Sequence, residues 1–135
     1  MVYAILKRRH AELAICMLLM AFPVAARADN LALACTDNAG SDVMYVWINL
    51  STGAVSDDHI NSAAPSYGVT VSPAAITPTK IQYSSYWPPG AATWTVVIDR
   101  TTGVLTETQS HQGQVLNTFT YSCVKSTTPP PATKF

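Results

Sequence analysis

Hydrophobic and polar residues alternate along several segments of this chain, and a period of two is typical of β-strands with one buried face. The segments are residues 43–50, 94–98 and 115–123, all rich in Val, Thr, Tyr or Trp. We expect the core to be built from the apolar faces of the first two segments. The faces that the alternation defines are Met44, Val46, Ile48 and Leu50; Trp94, Val96 and Ile98; and Val115, Phe119, Tyr121 and Cys123.

Shorter strand candidates lie between these segments, at residues 69–72 and 80–83, and prolines separate them. After residue 28, no segment of the sequence shows the 3.6-residue period of an amphipathic helix. The pattern therefore predicts an all-β domain, a small antiparallel barrel or sandwich of about seven to eight strands.

Two segments that lie 50 residues apart, 45–57 and 95–107, resemble each other. In each copy an apolar strand ends at an Asn or Asp, whose side chain can accept backbone hydrogen bonds in a turn. A glycine four residues later can supply the positive φ that such a turn needs, so each copy predicts a β-hairpin. Convergence on a favourable turn and ancient duplication of a half-domain both explain the similarity. The turn residues are Asn49 and Gly53 in the first copy and Asp99 and Gly103 in the second.

The N-terminal 28 residues have the order of a secretory signal peptide. Basic residues 7–9 precede an apolar stretch at residues 13–22, and Ala26-Arg27-Ala28 forms a cleavage site. The apolar stretch is shorter than the ~20 residues of a membrane span. We therefore expect cleavage after Ala28, no membrane span, and a periplasmic or secreted protein. The expected organisation is a signal peptide at 1–28, one β domain at 29–125 and a Thr/Pro-rich tail at 126–135.

Removal of the signal peptide changes both the charge and the cysteine count. The remaining chain has four basic and seven acidic residues, so its net charge is −3, which argues against a nucleic-acid partner. Cys16 is lost, and Cys35 and Cys123 remain. An even number of cysteines in an oxidising compartment predicts one disulfide between them. Reactive thiols or metal ligands are the alternative, although no C-x-x-C motif is present.

An aromatic, proline-containing segment at residues 83–90 is the candidate ligand-binding site. Tyr83, Tyr86 and Trp87 precede a Pro-Pro-Gly turn, and stiffly held aromatic side chains are favoured at binding hot spots. The alternative is that Tyr83 and Trp87 fold back and cap the open end of the barrel.

A second cluster is polar and raises the question of catalysis or metal binding. Asp57, Asp58 and His59 follow the first hairpin, and Glu107 is the counterpart of Asp57 in the second. These residues could form a carboxylate pair or a metal cluster, whereas a solvated loop has the same composition. Metal sites usually need three or four convergent ligands, and the sequence has no nucleophile elbow or phosphate-binding loop. We therefore assign no catalytic residue, no metal and no cofactor.

Several features occur together in this chain: the signal peptide, Leu33 and Cys35, the turn from Ile98-Asp99-Arg100 to Thr102-Gly103, Cys123 and Phe135. With these features the chain resembles a group of small exported bacterial proteins of unknown function, a resemblance that implies no activity. It is also remotely similar to the periplasmic inhibitors of c-type lysozyme, small β-barrels in which a first-strand Cys is bridged to a late Cys. Those inhibitors present a Ser-Gly-x-x-Tyr loop, for which this chain has only Ser66-Tyr67-Gly68, in a different order.

These observations favour an exported, non-enzymatic binding or inhibitor-like module of the cell envelope. The expected partner is an envelope protein or a cell-wall glycan. Two alternatives remain: a small hydrolase or metal-binding protein that uses His59, Asp57 and Glu107, and a structural envelope protein without a discrete site.

Overall fold

A computed structural model describes residues 30–61, 68–88 and 91–129. The predicted signal peptide and residues 130–135 of the predicted tail lie outside the described residues. The strands are β1 (Asn30–Asp37), β2 (Val43–Asn49), β3 (Val55–Asp57), β4 (Thr70–Val71), β5 (Ala75–Ile76), β6 (Lys80–Tyr86), β7 (Thr93–Asp99), β8 (Val104–His111) and β9 (Gln114–Lys125).

The strands form one antiparallel sheet that curls into a nearly closed barrel. Their order is β3-β2-β1-β9-β8-β7-β6-β4, and β5 pairs with β6 beyond the end of β4. At the seam the backbone N–H of Ala74, just before β5, donates to the carbonyl of Gly53, just before β3 (2.7 Å). The prediction of an all-β antiparallel barrel with one disulfide is confirmed. Only residues 58–61 of the described chain are helical, and no helix in this part is long and apolar enough to cross a membrane.

The predicted alternation places the core correctly in the first two strand segments. The inward side chains of β2 are buried, with Val46 at 0% exposure, and so are Val96 (2%) and Ile98 (3%) of β7, whereas Trp94 is half-buried. In the first part of β9 the apolar face is not buried in this way, because Val115 is 64% and Phe119 42% exposed. β1 pairs with β9 only from Tyr121 onwards, so the earlier part of β9 has a neighbour on one side only.

The disulfide joins the first strand of the barrel to the last. Cys35 and Cys123 are directly opposite each other in the β1–β9 pairing, with their Cα atoms 3.9 Å apart. The Cys35 side chain is fully buried in the core. The predicted pairing is therefore confirmed, and the bridge lies within the sheet.

The outer face of β2 is covered by the start of the tail. Trp47 points away from the barrel axis, yet it is only 8% exposed. Its indole Nε1–H donates to the carbonyl of Thr128 (2.9 Å), and its ring stacks on Tyr45. Residues 126–129 therefore pack on the barrel without adding a strand.

The two similar hairpins make the same hydrogen bonds. The side-chain oxygen of Asn49 or Asp99 accepts bonds from the backbone N–H groups two and three residues later. The N–H of Gly53 or Gly103 donates to the carbonyl of the same Asn or Asp, and both glycines have positive φ, 72° and 74°. The repeated sequence thus specifies a repeated turn.

Replacing Gly103 with Ala is expected to destabilise the protein more than the same change at Gly113. Both positions have positive φ, which costs an L-residue roughly 1–2 kcal/mol. A Cβ at position 103 would also lie 2.9 Å from the backbone oxygen of Cys123, whereas a Cβ at position 113 meets open space. Urea denaturation should show a loss for Gly103→Ala that exceeds the Gly113→Ala loss by ~1 kcal/mol or more. Equal losses would show that β9 yields without cost.

Candidate functional site

Asp57 ends β3 and points into the barrel, where it is 2% exposed. Its Oδ1 accepts a hydrogen bond from the backbone N–H of Ile60 (2.7 Å), so it caps the helical segment 58–61. Its Oδ2 accepts a hydrogen bond from the Tyr83 hydroxyl (2.9 Å). Both oxygens of this buried carboxylate are therefore satisfied within the protein.

Glu107 reaches the same interior from the opposite side of the barrel. In the pairing of β6, β7 and β8, Tyr83 lies opposite Val96, and Val96 lies opposite Glu107. Side chains that lie opposite each other point to the same face of a sheet, so all three face inward. Glu107 is 3% exposed. The two similar hairpins thus bring their equivalent carboxylates, Asp57 and Glu107, into one interior.

A cavity of about 300 Å³ opens above these carboxylates at one end of the barrel. Trp94 forms part of its wall, and the ring of Trp94 stacks on Phe119 with centroids 6.0 Å apart. The cavity therefore combines buried carboxylates with two indole rings. Its polar lining residues are Asp57, His59, Ser85 and Glu107, and its apolar ones are Ile60, Trp87 and Trp94.

Burial dominates the electrostatics of the inner end of this site. It raises the pKa of Asp57 above the ordinary value, against the hydrogen bonds from Ile60 and Tyr83, and the charge of Glu107 adds to the rise. Burial also raises the pKa of Tyr83 well above 10, reinforced by the charge of Asp57. The phenol is therefore neutral and donates to Asp57 throughout the physiological range.

His59 lies at the mouth of the cavity, next to Glu107. Its Nδ1 is 3.5 Å from Oε1 and 3.4 Å from Oε2 of Glu107. The His59 side chain is 42% exposed, whereas that of Glu107 is 4% exposed. The interaction with Glu107 is the largest cause that raises the pKa of His59. Among the described residues, no group donates a hydrogen bond to Oε2 of Glu107, although this oxygen is buried.

The His59–Glu107 pair should make stability depend on pH. Because the pKa of His59 is higher in the folded state than its ordinary value of 6.5, the pair stabilises the fold below that value. This contribution is lost as the pH rises through the folded pKa. The charges facing His59 are those of Glu107, Asp57 and Asp42.

The expected result is that His59→Gln destabilises the protein more at pH 5.5 than at pH 8.5, measured by urea denaturation. The control is His111→Gln, since His111 contacts the carbonyl of Ala91 instead of a carboxylate. A His59→Gln effect that is equal at both pH values would contradict the assigned pairing.

The three aromatic residues predicted to bind a ligand lie in three different environments. Tyr83 is in the barrel interior at 2% exposure, and Tyr86 is 49% exposed. Trp87 lines the cavity. They do not form one exposed patch, because alternation along β6 points Tyr83 and Tyr86 to opposite faces. A ligand-binding role for these three residues stays a prediction. Of the three, Trp87 is the one whose side chain could contact a ligand in the cavity.

Most of the polar cluster formed by Asp57, Asp58, His59 and Glu107 comes together in space, although the sequence around residues 57–59 has the composition of a solvated loop. Asp57, His59 and Glu107 all line the cavity. Asp58 points elsewhere and accepts a hydrogen bond from the backbone N–H of Tyr45 (2.8 Å). Trp94, which the alternation of its strand predicts in the core, lies in the wall of the cavity. No group of three His, Cys, Asp or Glu residues that could hold a metal ion occurs in the described part of the chain.

The chain matches no protein-family model, no curated protein and no solved structure.

Proposed function

We propose that this protein is an exported, non-enzymatic binding module of the cell envelope, and that it holds a small ligand in the cavity lined by Glu107. The observation that carries the proposal is the buried Oε2 of Glu107, which accepts no hydrogen bond from the described residues. An unsatisfied buried acceptor costs ~1–3 kcal/mol, and more when it is charged. A ligand that donates a hydrogen bond to Oε2 would recover this cost.

The shape of the site supports the same proposal. Ligand sites are commonly preformed concave pockets with apolar walls and a few convergent polar groups. Here Ile60, Trp87 and Trp94 supply the apolar wall, and Glu107 supplies a polar group. A cavity of about 300 Å³ fits a single small moiety, such as one terminal group of a cell-wall glycan or of an envelope protein. The signal-peptide pattern and the disulfide support placement outside the cytoplasm.

A fragment screen by NMR tests the proposal, with the indole N–H signals of Trp87 and Trp94 as reporters. We expect some fragments to shift these two signals, and Glu107→Gln to weaken their binding at least tenfold. Asp99→Asn is the matched control, since Asp99 is a carboxylate in an exposed turn outside the cavity. Fragments that shift neither indole, or that bind the Glu107→Gln variant equally well, would overturn the proposal.

A small hydrolase is the second candidate, because two buried carboxylates in different surroundings can serve as acid and base. Asp57 has a raised pKa and two internal hydrogen bonds, whereas Glu107 lies beside the exposed His59. Incubation with peptidoglycan fragments, followed by mass spectrometry, distinguishes the candidates. Cleavage by the wild type that disappears in Glu107→Gln would favour the hydrolase over the binding module.

A further inference from the structure

We infer that the ligand of this cavity is a small organic cation, whose charged nitrogen binds at Glu107 while its apolar part lies against Trp87 and Trp94. This inference rests on the proposed binding function and specifies the chemical class of the ligand.

The charges around the cavity favour a positive ligand. The described residues that line the cavity include two carboxylates, Asp57 and Glu107, one imidazole, His59, and no Lys or Arg. The guanidinium of Arg100 is engaged elsewhere, where it donates to the carbonyl of Thr77 (2.7 Å). An anionic ligand would have to approach two buried carboxylates with a single partly exposed imidazole to offset them.

The open acceptor favours a cation over a neutral alcohol or sugar. Both an ammonium and a hydroxyl can donate a charge-assisted hydrogen bond to Oε2 of Glu107, but only the ammonium adds the direct attraction between opposite charges, which is strong where water is largely excluded. Only the ammonium also offsets the repulsion between Glu107 and Asp57, which the structure places in one interior. His59 cannot do this alone, because its Nδ1 is 3.4 Å or more from either oxygen and its side chain is 42% exposed.

The apolar wall fits the same ligand class. An indole ring attracts a cation through the negative potential of its face, and Trp is the strongest side chain in this respect. Two indoles line a cavity that also contains carboxylates, so a ligand with an ammonium and a short apolar body meets complementary groups on both parts.

Three probes that share one ring and differ in charge test the inference: benzylammonium, benzyl alcohol and benzoate. Each is titrated into the oxidised protein at pH 7, and the indole N–H signals of Trp87 and Trp94 are followed. We expect benzylammonium to bind at least tenfold more tightly than benzyl alcohol, and benzoate to bind least. In Glu107→Gln the preference for the ammonium should disappear, while Asp99→Asn should retain it.

Equal or tighter binding of benzyl alcohol by the wild type would overturn the inference, even if the Glu107→Gln variant failed to fold. A preference for the ammonium that persists in a folded Glu107→Gln variant would also overturn it. If none of the three probes binds, the inference fails. The proposed function then stands or falls separately, on whether any fragment of the broader screen shifts the two indoles.

Discussion

The double variant Cys35→Ala/Cys123→Ala is expected to lose at least about 4–5 kcal/mol of unfolding free energy. The bridge spans 88 residues, and in the chain-entropy model closing a loop of this length removes roughly that much entropy from the unfolded state. This loss is a large fraction of the total, because a domain of about a hundred residues has a free energy of unfolding of only ~5–15 kcal/mol. Urea denaturation of the wild type and of the double variant, followed by Trp fluorescence, measures the difference.

Reduced wild type is the matched control, since it keeps both cysteine side chains and lacks only the covalent bond. Cys35 is fully buried, so the variant also loses packing that the reduced protein retains. We expect the reduced protein to lie between the oxidised protein and the double variant in stability. Oxidised and reduced proteins of equal stability would show that the bridge contributes nothing to the fold.

The second large effect is expected for Asp57→Ala, which should lose about 2–4 kcal/mol. The change removes the cap of the helical segment 58–61, which is worth ~1 kcal/mol. It also leaves the hydroxyl of Tyr83, 2% exposed, without its acceptor, at a cost of ~1–3 kcal/mol. Thermal and urea denaturation measure the loss.

Two further variants separate these contributions. Tyr83→Phe removes the phenol, so Asp57→Ala in that background should cost less than in the wild type. Asp57→Asn retains the capping oxygen and removes the buried charge. Because the pKa of Asp57 is raised in the fold, its ionisation destabilises the wild type as the pH rises through that pKa. Asp57→Asn should therefore gain stability relative to the wild type as the pH rises above 3.8, the ordinary pKa of an Asp side chain. Identical costs for Asp57→Ala in both backgrounds would contradict the assigned hydrogen bond.

The sequence contained enough information for the barrel and for part of the site. Alternation identified the buried faces of β2 and β7, and the 50-residue repeat identified Asp57 and Glu107 as equivalent. The curvature of the sheet is not evident from the sequence. This curvature decides whether the inward faces of the two similar hairpins meet in one interior. The two carboxylates therefore appeared as a pair in sequence, and only the closed geometry makes them neighbours.

Strand alternation alone predicts that Tyr83 is buried. It belongs to the alternation of β6, in which Ile81, Tyr83 and Ser85 share one face and all are buried. The proximity of Tyr83 to Tyr86 and to the Pro-Pro-Gly turn favours one shared ligand-binding segment, but residues three apart in a strand point to opposite faces. The prolines that follow favour a loop in this part of the sequence, whereas β6 in fact continues to Tyr86.

The pairing of β1 with β9 also imposes an order on how the nascent chain can fold. A polypeptide emerges from its N-terminus, and β1 can pair with β2 as soon as both have been made. The other edge of β1 can pair only after the last of the nine described strands has been made. Closing the barrel over that sequence separation costs entropy before the new contacts stabilise the fold. Until then the unpaired edge of β1 is exposed to other molecules. A chain that is truncated before residue 114 lacks β9 and therefore cannot close the barrel.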